Sequence, residues 1–149
     1  MNAVTPIAPK QSKGDSCEAA HLFRSKLIDL FAVVEVWAND TLERANSKPQ
    51  HLLGQKLDTI RKLAISETGN LPNAKTVLPL LDSILPFAEL RSALCHSQIK
   101  RMSGTWVCFR PSAAPGVLRW RPVLLDNPSM EQILRDLAEL VRALRDTRP

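Results

Sequence analysis

Leu90-Arg91-Ser92-Ala93-Leu94-Cys95-His96-Ser97 closes a long segment in which apolar residues recur every three or four positions. That spacing is helical. Beyond Met102 the character changes: Trp106, Val107, Cys108 and Phe109, then Val117, Leu118, Trp120 and Val123, are β-formers, with the turn-like residues 111–116 between them. The charge changes as well. Residues 90–125 hold no Asp or Glu, whereas Arg91, Lys100, Arg101, Arg110, Arg119 and Arg121 all fall there. The chain has 20 basic and 15 acidic residues; with these six set aside, 14 basic groups face 15 acidic ones. The net charge of +5 is therefore one region around Arg91 and His96. A field of that sign attracts phosphates or carboxylates.

Working back from this stretch, Val77, Leu81, Ile84, Leu85, Ala88, Leu94 and Cys95 form the apolar side of a third helix. Thr76 is its expected cap, Pro79 falls in its expected first turn, and Pro86 inside it predicts a kink. Residues 66–75, with Gly69, Asn70, Pro72 and Asn73, read as a loop. Leu52, Leu53, Leu57, Ile60 and Leu63 mark a second helix, with Pro49 expected at its first turn. Leu22, Phe23, Leu27, Leu30, Phe31, Val34, Trp37, Ala38 and Leu42 mark a long first helix, opened by a capping box from Asp15 to Glu18. Residues 1–15 read as a mobile tail, leaving residues 16–149 as one domain. Working forward, residues 106–123 predict a two-stranded hairpin whose Arg110, Arg119 and Arg121 alternate with apolar positions. Asn127-Pro128 then starts a last helix with the stripe Ile133, Leu134, Leu137, Leu140, Val141 and Leu144. The expected fold is mainly α: an up-down bundle of about four helices with a short β-hairpin before the last.

Composition narrows the class. A chain of 149 residues, 44% hydrophobic and 23% charged, suits one globular domain. No apolar run reaches the roughly 18 residues of a membrane span, and residues 1–15 have no apolar core of a secretory signal. Cys17, Cys95 and Cys108 are odd in number and form no Cys-x-x-Cys pair. That predicts reduced thiols in a cytoplasm and no zinc site; no cofactor is expected. No Gly-rich phosphate loop, His-Glu-x-x-His or Gly-x-Ser-x-Gly is present.

Glu89, Leu90, Arg91, Ser92, Ala93, Leu94, Cys95 and His96 resemble the Arg-x4-6-His signature of HEPN domains, the higher-eukaryote and prokaryote nucleotide-binding family. The usual form is close to Glu-Leu-Arg-Asn-x-Leu-Ala-His, so Ser92 replaces the common Asn and Cys95 the common small residue. Leu53-Gly54-Gln55-Lys56-Leu57 is similar to the Gly-Gln stretch in the second helix of small bacterial members. The resemblance covers residues 16–149. It implies a homodimer with paired motifs that cleaves single-stranded RNA without metal, of the toxin or phage-defence type. A nucleotidyltransferase-type antitoxin partner is common in the family. Arg91 would hold the scissile phosphate and His96 would relay a proton, with Ser92 and Glu89 in support. Lys100, Arg101, Arg110, Arg119 and Arg121 would contact the nucleic acid. The alternative within the same architecture is a catalytically inactive dimeric interaction or RNA-binding module.

Each residue also has a plainer reading. Arg91 can pair with Glu89 or Asp82, and His96 can be an ordinary helix-end histidine bonded to a carbonyl. Cys95 reads as a small core residue before a nucleophile. His21 and His51, without companions at metal spacing, read as helix surface. Trp37, Trp106 and Trp120 read as core, with base stacking as the alternative for the last two. A helical adaptor that docks a protein through its last helix needs none of these side chains.

Overall fold

The computed structural model describes residues 15–69, 71–112 and 121–148. Four helices carry the chain: α1 (Asp15–Arg44), α2 (Leu53–Ile65), α3 (Ala74–Cys95) and α4 (Asn127–Asp146). Between α3 and α4 lie three strands, β1 (Ser97–Arg101), β2 (Val107–Pro111) and β3 (Val123–Leu125). The fold is mainly α, as the apolar spacing requires.

Helix α1 is the spine. Ala20, Phe23, Leu27, Phe31, Val34, Trp37, Ala38 and Leu42 are buried along it at three- and four-residue steps, while Leu22, about 100° around the helix from Phe23, is exposed. Leu57 and Ile60 of α2, Leu81, Ile84 and Leu94 of α3, and Leu137, Val141 and Leu144 of α4 complete one core. Two charged contacts fasten α2. Lys56, only 6% exposed, donates from its ammonium to Glu35 Oε1 on α1 at 2.6 Å. Arg61 Nε donates to Asp82 Oδ1 on α3 at 2.9 Å.

The starts of α2 and α3 differ from the expected ones, whereas α1 and α4 begin at Asp15 and Asn127 as expected. Asn73, at φ 61°, precedes α3 without a side-chain cap; its carbonyl instead accepts from both Thr76 N–H and Val77 N–H at 2.9 Å. Thr76 thus lies inside the helix, and Pro79 sits beyond the first turn. Helix α2 begins at Leu53, with extended Leu52 before it, so Pro49 is outside it. Asp126 caps α4, accepting from Ser129 N–H at 2.9 Å. Gly69 N–H donates to Ser66 carbonyl at 3.0 Å in the connection from α2 to α3. A Cβ at Gly69 would lie 2.0 Å from the Leu63 carbonyl oxygen, so this turn needs glycine.

The sheet is an antiparallel meander in the order β1-β2-β3. The expected hairpin becomes three strands because Ser97–Arg101 turns extended immediately after α3 and pairs with β2. Of the expected second strand, Val117, Leu118 and Trp120 lie outside the described residues, and Val123 opens β3. Buried Val107 and Phe109 face the helices, and the Phe109 ring meets Phe23 of α1 edge-on, with centroids 6.1 Å apart. Among the described residues no helix is long and apolar enough to cross a membrane.

Candidate functional site

Helix α3 ends at Cys95, and His96 follows as its C-cap with φ −103° and ψ 17°. One residue later the chain is a strand. The turn is held from both sides. Ser97 Oγ donates back to the Ala93 carbonyl at 2.6 Å, and Ser112 N–H donates to the His96 carbonyl at 3.1 Å. From α1, Arg24 Nη1 donates to the Ser97 carbonyl at 2.9 Å and the Leu94 carbonyl at 3.4 Å. A cation at a helix C-terminus satisfies carbonyls that the helix cannot. Here it brackets His96 in sequence. Arg24 Nη2 also lies 3.3 Å from His21 Nδ1. Arginine accepts no hydrogen bond, so Nδ1 is the acceptor and the His21 proton in this contact sits on Nε2.

The two motif residues come to this end of α3 with different access. His96 is exposed. Arg91 lies five positions earlier, roughly 7.5 Å along the axis and about 140° around it. It is half-buried, and its Nε is enclosed without a hydrogen-bond partner. Asp82, a proposed structural partner for Arg91, is instead paired with Arg61. Ser92 is half-buried and Glu89 is exposed. Cys95 is exposed rather than in the core, because the last turn of α3 directs Leu94 inward. Among the described residues no group of three or more His, Cys, Asp and Glu side chains could hold a metal ion.

Strand pairing sorts the basic residues. Opposed residues of an antiparallel pair share a face, and neighbours alternate. Ser97, Ile99 and Arg101 oppose Pro111, Phe109 and Val107, on the side that packs against the helices. Gln98 opposes Arg110, and Lys100 opposes Cys108, on the outer side. Leu124 extends that outer face through its pairing with Cys108. Lys100 and Arg110 therefore share the solvent face, while Arg101 leaves the other side of β1. Arg121 is exposed two residues before β3, and Arg119 lies outside the described residues. The expected alternation of Arg110, Arg119 and Arg121 along one hairpin does not hold for Arg121, because β3 starts only at Val123.

Trp37 is core, as expected, but Trp106 is 46% exposed at the end of the β1–β2 hairpin. Nothing local in the sequence marks Arg24 as a site residue; it reaches the Leu94 and Ser97 carbonyls on either side of His96 only once α1 and α3 pack. A separate concavity of about 110 Å³ lies away from the motif, among Trp37, Thr41, Leu71 and Val77, where Arg148 pairs with Asp40 at 3.4 Å. In comparisons with known proteins, no family model, curated protein or solved structure matches this chain.

Proposed function

We propose that this chain is a HEPN-like, metal-independent endoribonuclease that acts as a homodimer on single-stranded RNA. The observation that supports it best is the placement of His96: exposed, at a helix-to-strand turn fixed by Arg24 and Ser97, in a region free of carboxylates from residue 90 to 125. An imidazole is suited to moving protons near neutral pH. His96 takes the proton of a 2′-hydroxyl as that oxygen attacks phosphorus. The bond from phosphorus to the 5′-oxygen breaks, leaving a 2′,3′-cyclic phosphate. The imidazolium so formed at His96 passes its proton to the departing 5′-oxygen, and a two-fold axis brings the second protomer's Arg91 to the same phosphate. Arg91 holds the non-bridging oxygens and stabilises their developing charge.

The test is cleavage of an end-labelled single-stranded RNA with a chelator present. Wild type is expected to leave cyclic phosphate ends, and His96→Ala to be slower by roughly a hundredfold or more. Equal rates in the two proteins, or no cleavage by wild type, would remove the catalytic reading.

A second reading, a dimeric RNA-binding module without catalysis, is favoured by Arg91 itself. Its partly buried side chain and enclosed Nε withdraw part of the guanidinium from solvent, and Ser92 offers a hydroxyl where the family has an amide. Salt-dependent RNA binding that survives His96→Ala, with no cleavage by either protein, would select this reading.

A further inference from the structure

The sheet has two unlike faces. Its inner face buries Val107 and Phe109 against the helices. Its outer face presents Gln98 and Lys100 from β1, Cys108 and Arg110 from β2, and Leu124 from β3. At the hairpin end the Met102 N–H donates to the Trp106 carbonyl at 3.1 Å, so the pairing continues one step past the strands. Trp106 precedes inward-facing Val107, and alternation places its side chain on the outer face with Met102. Gly104, at φ 70°, makes the tight turn between them. Trp106, Met102 and Leu124 are exposed by 46%, 47% and 52%. Nothing in the packing of the sheet calls for an indole at position 106, since Val107 and Phe109 already fill the inner side. No carboxylate stands at these outer positions.

We infer that this outer face is a stacking platform for unpaired bases, with Trp106 as the surface on which a base lies and Lys100 and Arg110 as the cations that follow its phosphates. Three features select a single-stranded polynucleotide over a protein. The face pairs an exposed aromatic plane with cations, it lacks any acidic group, and the strands hold its backbone rigid. Stacking on an aromatic side chain is available to every base whose face is open, and a duplex has none to offer. The inference depends on the RNA reading above and adds to it a basis for rejecting duplex. It also adds a geometry. Gln98, Lys100 and Met102 follow one another on that outer face, so Trp106 lies roughly 17 Å along the sheet from the start of β1, which His96 immediately precedes. A chain stacked on Trp106 and cut at His96 would be cut a few nucleotides from the stacked base.

The test uses the full chain and a fluorescent 2′-O-methyl oligouridylate, which lacks the attacking hydroxyl and so reports binding alone. Trp106→Ala is expected to weaken binding about tenfold or more, with the slope of affinity against salt unchanged. Trp106→Phe should keep most of the affinity. Lys100→Gln with Arg110→Gln should lower the salt slope, and a duplex should bind weakly with no response to Trp106→Ala. Unchanged affinity in Trp106→Ala, or equal binding of duplex and single strand, overturns the platform while leaving the RNA reading in place. No binding of either oligonucleotide by wild type overturns both. Should Trp106→Ala fail to fold, quenching of indole fluorescence on binding is read instead: it should be present in wild type and reduced in Trp106→Phe, and equal quenching in the two proteins overturns the platform.

Discussion

Asp126 ends the carboxylate-free stretch and begins α4. Hydrogen bonding from the Ser129 side chain, and then from the Ser129 N–H, holds its carboxyl below the ordinary aspartate value of 3.8. A folded value below the unfolded one means that the capping contribution is present above the ordinary range and is lost as pH falls through the lowered value. Asp126→Ala should therefore melt below wild type at pH 7, and the gap should narrow on acidification below about pH 4 and then close. Thermal melts at neutral and acid pH check this; a gap that persists undiminished in strong acid would show that Asp126 acts otherwise. Residue-scale features of this kind are local, and Asp126 stood three positions before Ser129 for any reader of the sequence. Arg24 is the opposite case. Its carbonyl partners lie 70 and 73 residues away, so no local pattern marks it as the residue that fixes the turn at His96.

At the scale of elements, β2 gives the sheet its buried apolar side chains, Val107 and Phe109. Phe109 is fully buried against Phe23, with the rings inclined by 63°. Phe109→Ala should cost about 3–5 kcal/mol, since it deletes a buried aromatic and leaves a cavity between sheet and helix. Phe109→Leu should cost less, keeping much of the volume but losing the ring pair, which contributes roughly 0.5–1.5 kcal/mol. Urea denaturation of the three proteins measures both, and a loss under 1 kcal/mol for alanine would mean the sheet is peripheral to the cooperative unit. The helices were legible because their burial is periodic along a single segment: the stripes of α1 and α4 can be counted from the chain alone. Strand β1 was not. Ser-Gln-Ile-Lys-Arg has one large apolar residue and follows a helix without a Gly or Pro break. Its extended state is set by pairing with Val107–Pro111, a non-local cause. The exposure of Trp106 was equally hidden, because its face depends on that register.

For the whole molecule, the ribonuclease proposed above requires a guanidinium and an imidazole at one phosphate. Along α3 the two positions are about 140° apart, so a single helix does not set them side by side. Arg91 is half-buried and His96 is exposed, which separates them further in access. A two-fold axis near the end of α3 would solve this by pairing Arg91 of one protomer with His96 of the other. That arrangement has a consequence that one-chain sites lack. In a mixture of equal amounts of Arg91→Ala and His96→Ala proteins, exchanged through a dissociating step, about half the dimers are hybrids, and each hybrid has one site with both groups and one with neither. RNA cleavage should then return to roughly a quarter of the wild-type rate, although each variant alone is nearly inactive. If both groups act from the same protomer, every site in the mixture lacks one of them, and the activity stays at the level of the single variants. Size-exclusion chromatography of the mixture must show dimers for the comparison to count. A strictly monomeric wild type that still cleaves RNA would rule out the shared site directly, and would put the whole of the chemistry on the one turn that Arg24 holds in place.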